Sequence, residues 1–307
     1  MKLSIVSPVY RAENIVDELV RRVVDEVQKI TLDFELILVE DGSPDNSWDA
    51  IERNCIIDKR VKGIKLSRNF GQHYAITAGL DNAKGDYIII MDCDLQDNPN
   101  SIRLLIDKLN EGFDIVFTKR KKRNHTLFKK ITAKLYNYMI GILADKKFDV
   151  EMGSMIAIQQ NAANAFLGLK DKDRLYIQMF KWIGFKQTNI TVEHDKRFEG
   201  ESTYTLVKLI TLALQGLISH SNKLLKLSIL FGIIISFLSF LIVIIIIIAY
   251  FVQGFSPGWP SIFIGISFAT GIILLSNGIL GIYIGKIFEQ VKDRPLFIVE
   301  SKLNLEQ

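Results

Sequence analysis

A long stretch without charge constrains the fold of this chain most strongly. From Leu227 to Gly285 there is no charged side chain, and the stretch contains two apolar runs, Leu227 to Val252 and Trp259 to Gly285, separated by the Gly/Pro turn QGFSPG. About 20 helical residues cross a hydrocarbon core of about 30 Å, and both runs are longer. A buried hairpin in a large soluble core fits poorly, because FLIVIIIIIAYF has no polar face. The sequence predicts a two-helix membrane hairpin.

The charges that flank the two runs predict their orientation. Lysine and arginine are enriched on the cytoplasmic side of membrane proteins. Here the turn between the two runs has no charge, whereas positive residues precede the first run and follow the second, at Lys223, Lys226, Lys286, Lys292 and Arg294. We therefore expect a multi-pass protein of the cell (inner) membrane with both termini in the cytoplasm. The first residues, MKLSIVSPVY, lack the apolar core of a signal peptide. The two cysteines, Cys55 and Cys93, agree with a reducing compartment.

The first 120 residues alternate between short apolar runs and helical patterns. Strands that alternate with helices predict a sheet with mostly parallel pairing and helices on both faces. The fold class is therefore α/β, doubly wound. The predicted strands are residues 3 to 7, 34 to 39, 63 to 66, 87 to 91 and 113 to 118.

Polar segments follow four of these strands. They read PVYRAEN, EDGSPDNS, SRNFGQ and DCDLQD. Ligands of doubly wound sheets bind beyond the carboxyl ends of the strands. We therefore expect the four segments to meet at one edge of the sheet and to form a binding site.

The last of these segments places three carboxylates, Asp92, Asp94 and Asp97, within six residues. Carboxylates this close repel one another unless a positive charge lies between them. A solvated turn is the alternative reading, but a Mg²⁺ or Mn²⁺ ion that carries phosphates fits the set of four segments better. Asp41 is suited to accept a hydrogen bond from a nucleotide base, because an ionised carboxylate only accepts. No P-loop motif and no dinucleotide-binding glycine motif occurs.

Five stretches form a recognisable set together with the C-terminal segments: SPVYRAEN, VEDGSPDNS, LSRNFGQHYAITAGLDNAKGDYIIIMDCDLQDNP, WIGF and RFEGESTY, then two apolar helices and RPLFIV. They resemble the family-2 inverting glycosyltransferases with a GT-A fold that act on polyprenyl phosphate, such as bactoprenol glucosyltransferases, dolichol-phosphate mannose synthases and undecaprenyl-phosphate aminoarabinose transferases. The resemblance implies metal-dependent transfer of one sugar from a UDP- or GDP-linked donor to a polyprenyl phosphate at the cytoplasmic membrane face, with Mg²⁺ or Mn²⁺ as cofactor.

The resemblance also implies roles for individual residues. Glu151 stands where the family has an aspartate, which leaves a strict base role for it open, and Thr203 replaces a lysine of the family, so one cation is missing. The implied nucleotide contacts are Pro8, Tyr10, Glu13, Asp41 and Asp92; the metal contacts are Asp92, Asp94 and Gln96; the catalytic residues are Asp94, Glu151 and Arg197; the contacts to the acceptor phosphate or diphosphate are Arg197, Ser202 and Tyr204.

Two amphipathic stretches predict contact with a membrane surface. In residues 127–143, Leu127, Ile131 and Leu135 share one face that lysines flank, and residues 205–218 follow a similar pattern with less charge. The basic run KRKKRNH (119–125) reads either as a solvated loop or as a contact to anionic headgroups, and we favour the headgroups. Nucleic acid is a poorer fit, because no aromatic residue interleaves with these cations.

These patterns divide the chain into four predicted parts: a catalytic domain (1–204) with an interfacial helix at about 127–143, a juxtamembrane amphipathic helix (205–222), two transmembrane helices (223–288) and a cytoplasmic tail (289–307). A transferase with a hydroxyl acceptor stays open, since QMFKW (178–182) nearly matches a motif of processive synthases. A non-catalytic scaffold is a weaker alternative. The sugar and the base stay open, as do a second copy of the chain and a flippase as partners.

Overall fold

The computed structural model describes residues 1–120, 152–192, 223–253 and 258–305. Two compact units make up the chain. The first comprises Met1–Asn124, Asp149–Ser202 and Arg294–Gln307, and the second comprises His125–Phe148 and Thr203–Asp293. The predicted amphipathic segments at 127–143 and 205–222 lie outside the described residues.

Strands and helices alternate through the first unit up to residue 120, as the sequence predicts. The elements are β1 (Leu3–Val9), α1 (Val16–Val27), β2 (Phe34–Glu40), α2 (Ser47–Ile57), β3 (Val61–Leu66), α3 (Gln72–Asn82), β4 (Tyr87–Ile90), α4 (Ser101–Asn110) and β5 (Ile115–Arg120). After residue 151 come β6 (Met152–Gln159), α5 (Gln160–Leu167), α6 (Tyr176–Ile183), β7 (Gln187–Val192), α7 (Lys223–Gln253), α8 (Trp259–Val291) and β8 (Val299–Leu303).

Buried apolar side chains explain why these segments form strands and helices. All seven residues of β1 and all seven of β2 are buried, as expected for strands covered on both faces. In α1 the buried residues recur every three or four positions, at Val16, Leu19, Val20, Val23 and Val27. The resulting stripe packs on the sheet, and the opposite face of the helix carries surface ion pairs.

One eight-stranded sheet organises the first unit, in the order β7-β5-β6-β4-β1-β2-β3-β8. Four strand pairs are parallel: β1 with β2, β1 with β4, β2 with β3, and β5 with β7. The pairs that involve β6 or β8 are antiparallel. This confirms the α/β class with a mostly parallel sheet, and it adds an antiparallel strand, β6, that separates β4 from β5.

The C-terminal segment returns to the sheet. The sequence predicts only a tail after residue 289, whereas residues Val299–Leu303 form an edge strand antiparallel to β3. Asn304 fastens its end, because its side-chain amide donates to the backbone oxygens of Cys55 at 2.7 Å and Val61 at 2.8 Å. The chain therefore leaves the first unit after β7 and comes back to it after α8.

Both predicted apolar runs are helical. They lie in α7 and α8, which have 31 and 33 residues, and many of their large apolar side chains are exposed, among them Phe237 and Phe268. Within the described residues, one stretch, Phe268–Val291, is long and apolar enough to cross a membrane, and a shorter apolar stretch lies at Ser228–Ile242. The predicted helices are confirmed, and the two-pass membrane hairpin stays a prediction.

Candidate active site

The polar segments after β1, β2, β3 and β4 meet at one edge of the sheet. These four strands run in the same direction, since β1 pairs in parallel with β2 and β4, and β2 pairs in parallel with β3. Their carboxyl ends therefore point to the same side. The segments that begin at Tyr10, Asp41, Ser67 and Met91 follow directly.

The acidic loop, Asp92–Asp97, has a constrained backbone. Leu95 has φ +57°, a left-handed conformation that is uncommon for a residue with a bulky side chain. Its side chain is buried and belongs to the apolar core, so packing supports the unfavourable backbone. The carboxylate of Asp94 accepts a hydrogen bond from the backbone N–H of Gln96 at 3.1 Å, which tightens the same turn. Packing of Leu95 and the Asp94–Gln96 hydrogen bond therefore both stabilise this conformation of the loop.

Each end of the acidic loop is bound to another element. The carboxylate of Asp92 accepts a hydrogen bond from the side-chain amide of Gln72, the first residue of α3, at 2.5 Å. The carboxylate of Asp97 is 2 % exposed and accepts a hydrogen bond from the hydroxyl of Ser154 in β6 at 2.8 Å. Asp92 and Asp94 themselves are partly exposed.

The donors in this loop fit a divalent cation that also binds phosphate. Within the described ranges no three side chains of His, Cys, Asp or Glu converge as a complete metal site. Mg²⁺ and Mn²⁺ prefer oxygen ligands, and Mg²⁺ in phosphate chemistry is commonly held by one or two carboxylates together with phosphate oxygens and water. Asp92 and Asp94 offer such a pair, with the amide oxygen of Gln96 close in sequence. The residues therefore fit a cation that arrives with a diphosphate.

Cys93, between the two aspartates, has a protonated thiol. Burial raises the pKa of this thiol to about 12, and the neighbouring carboxylates of Asp92 and Asp94 act in the same direction. A thiol in this state is a poor nucleophile and a poor metal ligand. Cys93 therefore serves as a small residue that fits between the two aspartates.

Asp41 shapes the loop that follows β3. Its carboxylate is 2 % exposed and accepts hydrogen bonds from the backbone N–H groups of Phe70 at 2.7 Å and Gly71 at 2.9 Å. Burial raises its pKa, and the two backbone hydrogen bonds oppose that effect only in part. A nucleotide base could use only the remaining lone pairs of this carboxylate.

Gly42 allows the loops after β2 and β3 to approach each other, and Gly71 allows a positive φ within the second loop. Gly42 has φ +61°, and a Cβ atom there would lie 2.2 Å from the backbone nitrogen of Asn69. Gly71 has φ +108°. Any other residue at position 42 would push the two loops apart.

The loop after β1 carries the remaining candidate nucleotide contacts. Pro8 is buried as the sixth residue of β1, and Tyr10 is 43 % exposed at the edge. Glu13 accepts a hydrogen bond from the backbone N–H of Asn46 at 3.0 Å, which joins the loops after β1 and β2. Arg11 between them has φ +51°. Tyr10 is the residue of this group whose exposure allows it to meet a ligand, while Glu13 also holds a neighbouring loop.

Several predicted site residues lie outside the described residues. These are Glu151, Arg197, Ser202 and Tyr204. The residues after Glu151 are described: a Cβ atom on Gly153 would lie 2.3 Å from the hydroxyl oxygen of Thr118 in β5, so β6 begins in close contact with its neighbour. The contacts of Gln72, Ser154 and Tyr176 around the acidic loop were not predicted from the sequence, although Gln72 belongs to the quoted SRNFGQ segment.

Comparison with known proteins agrees with this architecture. The family model described as Glycosyl transferase family 2 matches residues 4–167, more than half of the chain. The chain is 36 % identical over its whole length to the uncharacterized glycosyltransferase YkcC of Bacillus subtilis, covering 95 % of that protein. It is 31 % identical, again over its whole length, to the undecaprenyl-phosphate 4-deoxy-4-formamido-L-arabinose transferase of Proteus mirabilis, covering 95 % of that protein.

A solved structure has a similar fold. Glucosyl-3-phosphoglycerate synthase of Mycobacterium tuberculosis, in complex with Mn²⁺, UDP-glucose and phosphoglyceric acid, matches 71 % of this chain and 78 % of its own with a TM-score of 0.50 and 16 % sequence identity. At this identity the match bears on the fold alone, and it agrees with the expected GT-A type. The family match and the two full-length relatives show that the chain is a glycosyltransferase and belongs to glycosyl transferase family 2.

Proposed function

We propose that this glycosyltransferase moves a single sugar, with inversion, from a UDP- or GDP-sugar to a polyprenyl phosphate at the cytoplasmic face of the membrane, with Mg²⁺ or Mn²⁺. The observation that carries the proposal is the acidic loop. Asp92 and Asp94 are partly exposed at the sheet edge where the loops after β1 and β2 also begin. A nucleotide lying across those loops would bring its diphosphate to the two carboxylates.

The donor site would be built by the loops after β1 and β2. Tyr10 is exposed enough to contact a base or ribose, and Pro8 and Glu13 fix the backbone around it. Asp41 can accept an N–H of uracil or guanine on a lone pair that Phe70 and Gly71 leave over. Asp92 would contact the nucleotide from the other side.

The metal site would be Asp92 and Asp94, with Gln96 beside them. When bound, the cation would supply charge stabilisation to the diphosphate leaving group. Asp94 would in addition hold a metal-bound water or a sugar hydroxyl. The structural neighbour from Mycobacterium tuberculosis binds Mn²⁺ and UDP-glucose, and the proposal uses the same class of donor.

A phosphate is the acceptor that this chain suits best. The full-length relative from Proteus mirabilis is named for transfer to undecaprenyl phosphate. A phosphate monoester has a second pKa of about 6 and is mostly a dianion at neutral pH, so it needs little help from a general base. It needs donors and cations that hold it in line with the anomeric carbon, and Arg197, Ser202 and Tyr204 are the candidates from the sequence.

The return of the chain to the sheet supports a hairpin that enters the membrane and comes back. β8 is hydrogen-bonded to β3, so the strands up to β7 and the strand after α8 belong to one folded unit, which we place on one side of the membrane. If Phe268–Val291 crosses the bilayer, α7 must cross it in the opposite direction. An even number of crossings, with the catalytic unit and both termini in the cytoplasm, is the arrangement we propose.

A donor panel tests the proposal. Purified full-length protein is incubated with undecaprenyl phosphate, Mg²⁺ or Mn²⁺, and a series of UDP-, GDP- and dTDP-sugars, and lipid products are identified by mass. One sugar added to the lipid phosphate, and loss of product in EDTA, are the expected results. Product on a hydroxyl acceptor but none on the lipid phosphate would contradict the proposed acceptor, and no product with any donor would favour a scaffold.

A further inference from the structure

We infer that Gln72 and Ser154 are positioning residues, each of which fixes one end of the acidic loop by a hydrogen bond. The side chains of His73 and Tyr176 join these two hydrogen bonds into one connected set. This inference rests on the proposed function, because it assigns the set to the cation and diphosphate that Asp92 and Asp94 would bind. Neither Gln72 nor Ser154 is a candidate ligand.

The two hydrogen bonds act on opposite ends of the acidic loop. Gln72 Nε2 donates to Asp92 Oδ1 at 2.5 Å, and Ser154 Oγ donates to Asp97 Oδ2 at 2.8 Å. The first donor lies in the first turn of α3 and the second lies in β6. The loop is therefore fixed between two elements that are distant in sequence.

A chain of contacts links Gln72 with Ser154. His73 follows Gln72 in α3, and its ring lies 5.6 Å from the ring of Tyr176, centroid to centroid. The Tyr176 hydroxyl donates to the backbone oxygen of Ser154 at 2.9 Å. Tyr176 is 3 % exposed. Contacts therefore connect Asp92 with Asp97 by way of Gln72, His73, Tyr176 and Ser154. The acidic loop connects the same two aspartates through the backbone.

Two further contacts keep α3 beside the segment that carries Tyr176. The hydroxyl of Tyr74 donates to the backbone oxygen of Lys172 at 2.8 Å. The guanidinium of Arg174, which is 2 % exposed, lies 3.4 Å from the hydroxyl oxygen of Thr77 and donates to it. Both contacts join α3 to residues just before α6. The ring contact between His73 and Tyr176 is therefore part of a wider packed contact.

The charges of the acidic loop explain why hydrogen bonds at both of its ends are needed. Asp92, Asp94 and Asp97 repel one another before a cation arrives, and Leu95 adds an unfavourable backbone conformation. Both effects favour opening of the loop. Hydrogen bonds to Asp92 and Asp97 oppose that opening, so they stabilise the loop conformation that presents Asp92 and Asp94 to a cation.

Mn²⁺ affinity is the measurement that separates positioning from simple packing. Full-length protein in detergent is titrated with Mn²⁺ at saturating UDP, and separately at saturating GDP, and free Mn²⁺ is followed by electron paramagnetic resonance. Thermal unfolding midpoints are recorded for every variant without metal. Removal of partners that orient metal ligands commonly weakens metal binding by about 10 to 100-fold.

The variants isolate each hydrogen bond. Ser154→Ala and Gln72→Ala should each weaken Mn²⁺ binding by about tenfold, and Ser154→Thr, which keeps the hydroxyl, should restore most of it. Tyr176→Phe removes one oxygen and should weaken binding by a smaller factor. Matched controls are Tyr87→Phe, whose hydroxyl donates to Asn110 at 3.0 Å, and Gln160→Ala, the first residue of α5, and both should bind Mn²⁺ like the wild type.

Each remaining outcome contradicts a specific part of the inference. If the wild type binds Mn²⁺ with UDP or GDP and Ser154→Ala and Gln72→Ala bind it equally well, the positioning role is wrong while the proposed function stands. A lower unfolding midpoint with unchanged Mn²⁺ affinity contradicts the positioning role in the same way. If the wild type binds no Mn²⁺ with either nucleotide, the proposed metal site is wrong and the positioning role falls with it.

Discussion

The carboxylate of Asp41 accepts a hydrogen bond from the backbone N–H of Gly71 at 2.9 Å, so the loop after β2 fixes the loop after β3. A second hydrogen bond, from the N–H of Phe70 at 2.7 Å, reaches the other carboxylate oxygen. Because the two donors use both oxygens, Asp41 has a structural role that exists before any nucleotide binds.

Replacement of Asp41 by Asn should therefore lower stability. The amide of Asn presents one oxygen and one NH₂ group to two N–H donors, so one hydrogen bond is lost and two donors face each other. A buried group left without its partner costs about 1 to 3 kcal/mol. Thermal unfolding of Asp41→Asn is compared with Asp49→Asn, a change at an exposed position of α2. Equal midpoints for Asp41→Asn and the wild type would contradict this role.

Glu35 should make stability depend on pH in the acid range. It is 2 % exposed at the amino end of the sheet and accepts hydrogen bonds from the Ser4 hydroxyl at 2.6 Å, from the N–H of Lys84 at 2.7 Å and from the ammonium of Lys62. Burial by itself raises the pKa of Glu35, but these hydrogen bonds outweigh it and hold the pKa below the ordinary value of 4.5.

The sign follows from that lowered pKa. The stabilising contribution of ionised Glu35 is present above about pH 4.5 and is lost as the pH falls through the lower pKa of the folded protein. Glu35→Gln should cost about 2 kcal/mol at pH 7, and the difference from the wild type should shrink below pH 4. Denaturant unfolding at both pH values measures it, with the exposed Glu111→Gln as control. A difference that grows toward acid would contradict the assignment.

Asp92 and Asp94 should be required for turnover. If they hold the cation, Asp92→Ala and Asp94→Ala each remove a ligand and most of the product formation, and EDTA abolishes product formation by the wild type. Asp81→Ala, at an exposed position of α3, serves as the control and should stay near the wild-type rate. Undiminished turnover in EDTA would exclude this role for the pair.

Membrane topology can be tested with single cysteines in a chain whose Cys55 and Cys93 are replaced. We expect Gln253→Cys, at the end of α7, to react with an impermeant thiol reagent added outside intact cells, and Glu306→Cys to react only after the cells are opened. The reverse pattern would invert the orientation. Reaction of both residues from outside would be incompatible with the proposed cytoplasmic hairpin.

The sequence predicts the parts of the fold that depend on local pattern. The five early strands and both long apolar helices are found where hydrophobic period and length place them. β6, β7 and β8 were not predicted. β8 is a five-residue edge strand whose partner, β3, lies more than 230 residues earlier in the chain, and no local signal reports a pairing of that range. MGSMIAIQ, in β6, has an apolar run, but nothing in it says that the strand inserts between β4 and β5.

The candidate site divides in the same way. Asp92 and Asp94 follow a buried strand, so residue type and position are enough to select them as candidates. Gln72 and Ser154 act through contacts with residues 20 and 57 positions away. Neither residue type is unusual at its position, and the contact exists only once α3, β4 and β6 are packed. Three-dimensional structure is needed to find such residues.

The relative importance of Glu151 and Arg197 tests why the acceptor should be a phosphate. A hydroxyl acceptor must lose a proton as it attacks, and a well-placed general base is typically worth about 10² to 10⁴-fold for that step. A polyprenyl phosphate is mostly a dianion at neutral pH, so its main requirement is a cation and hydrogen-bond donors that hold two anionic substrates together.

Glu151→Gln should therefore retain more activity with polyprenyl phosphate than Arg197→Ala, because loss of a base matters less here than loss of a positive charge. Both rates are measured at saturating donor and over a range of lipid phosphate. Arg197→Lys keeps the charge without the forked geometry of the guanidinium and should fall between Arg197→Ala and the wild type. An inactive Glu151→Gln beside a near-normal Arg197→Ala would remove the physical basis for a phosphate acceptor, since only proton removal from a hydroxyl would then explain the pattern.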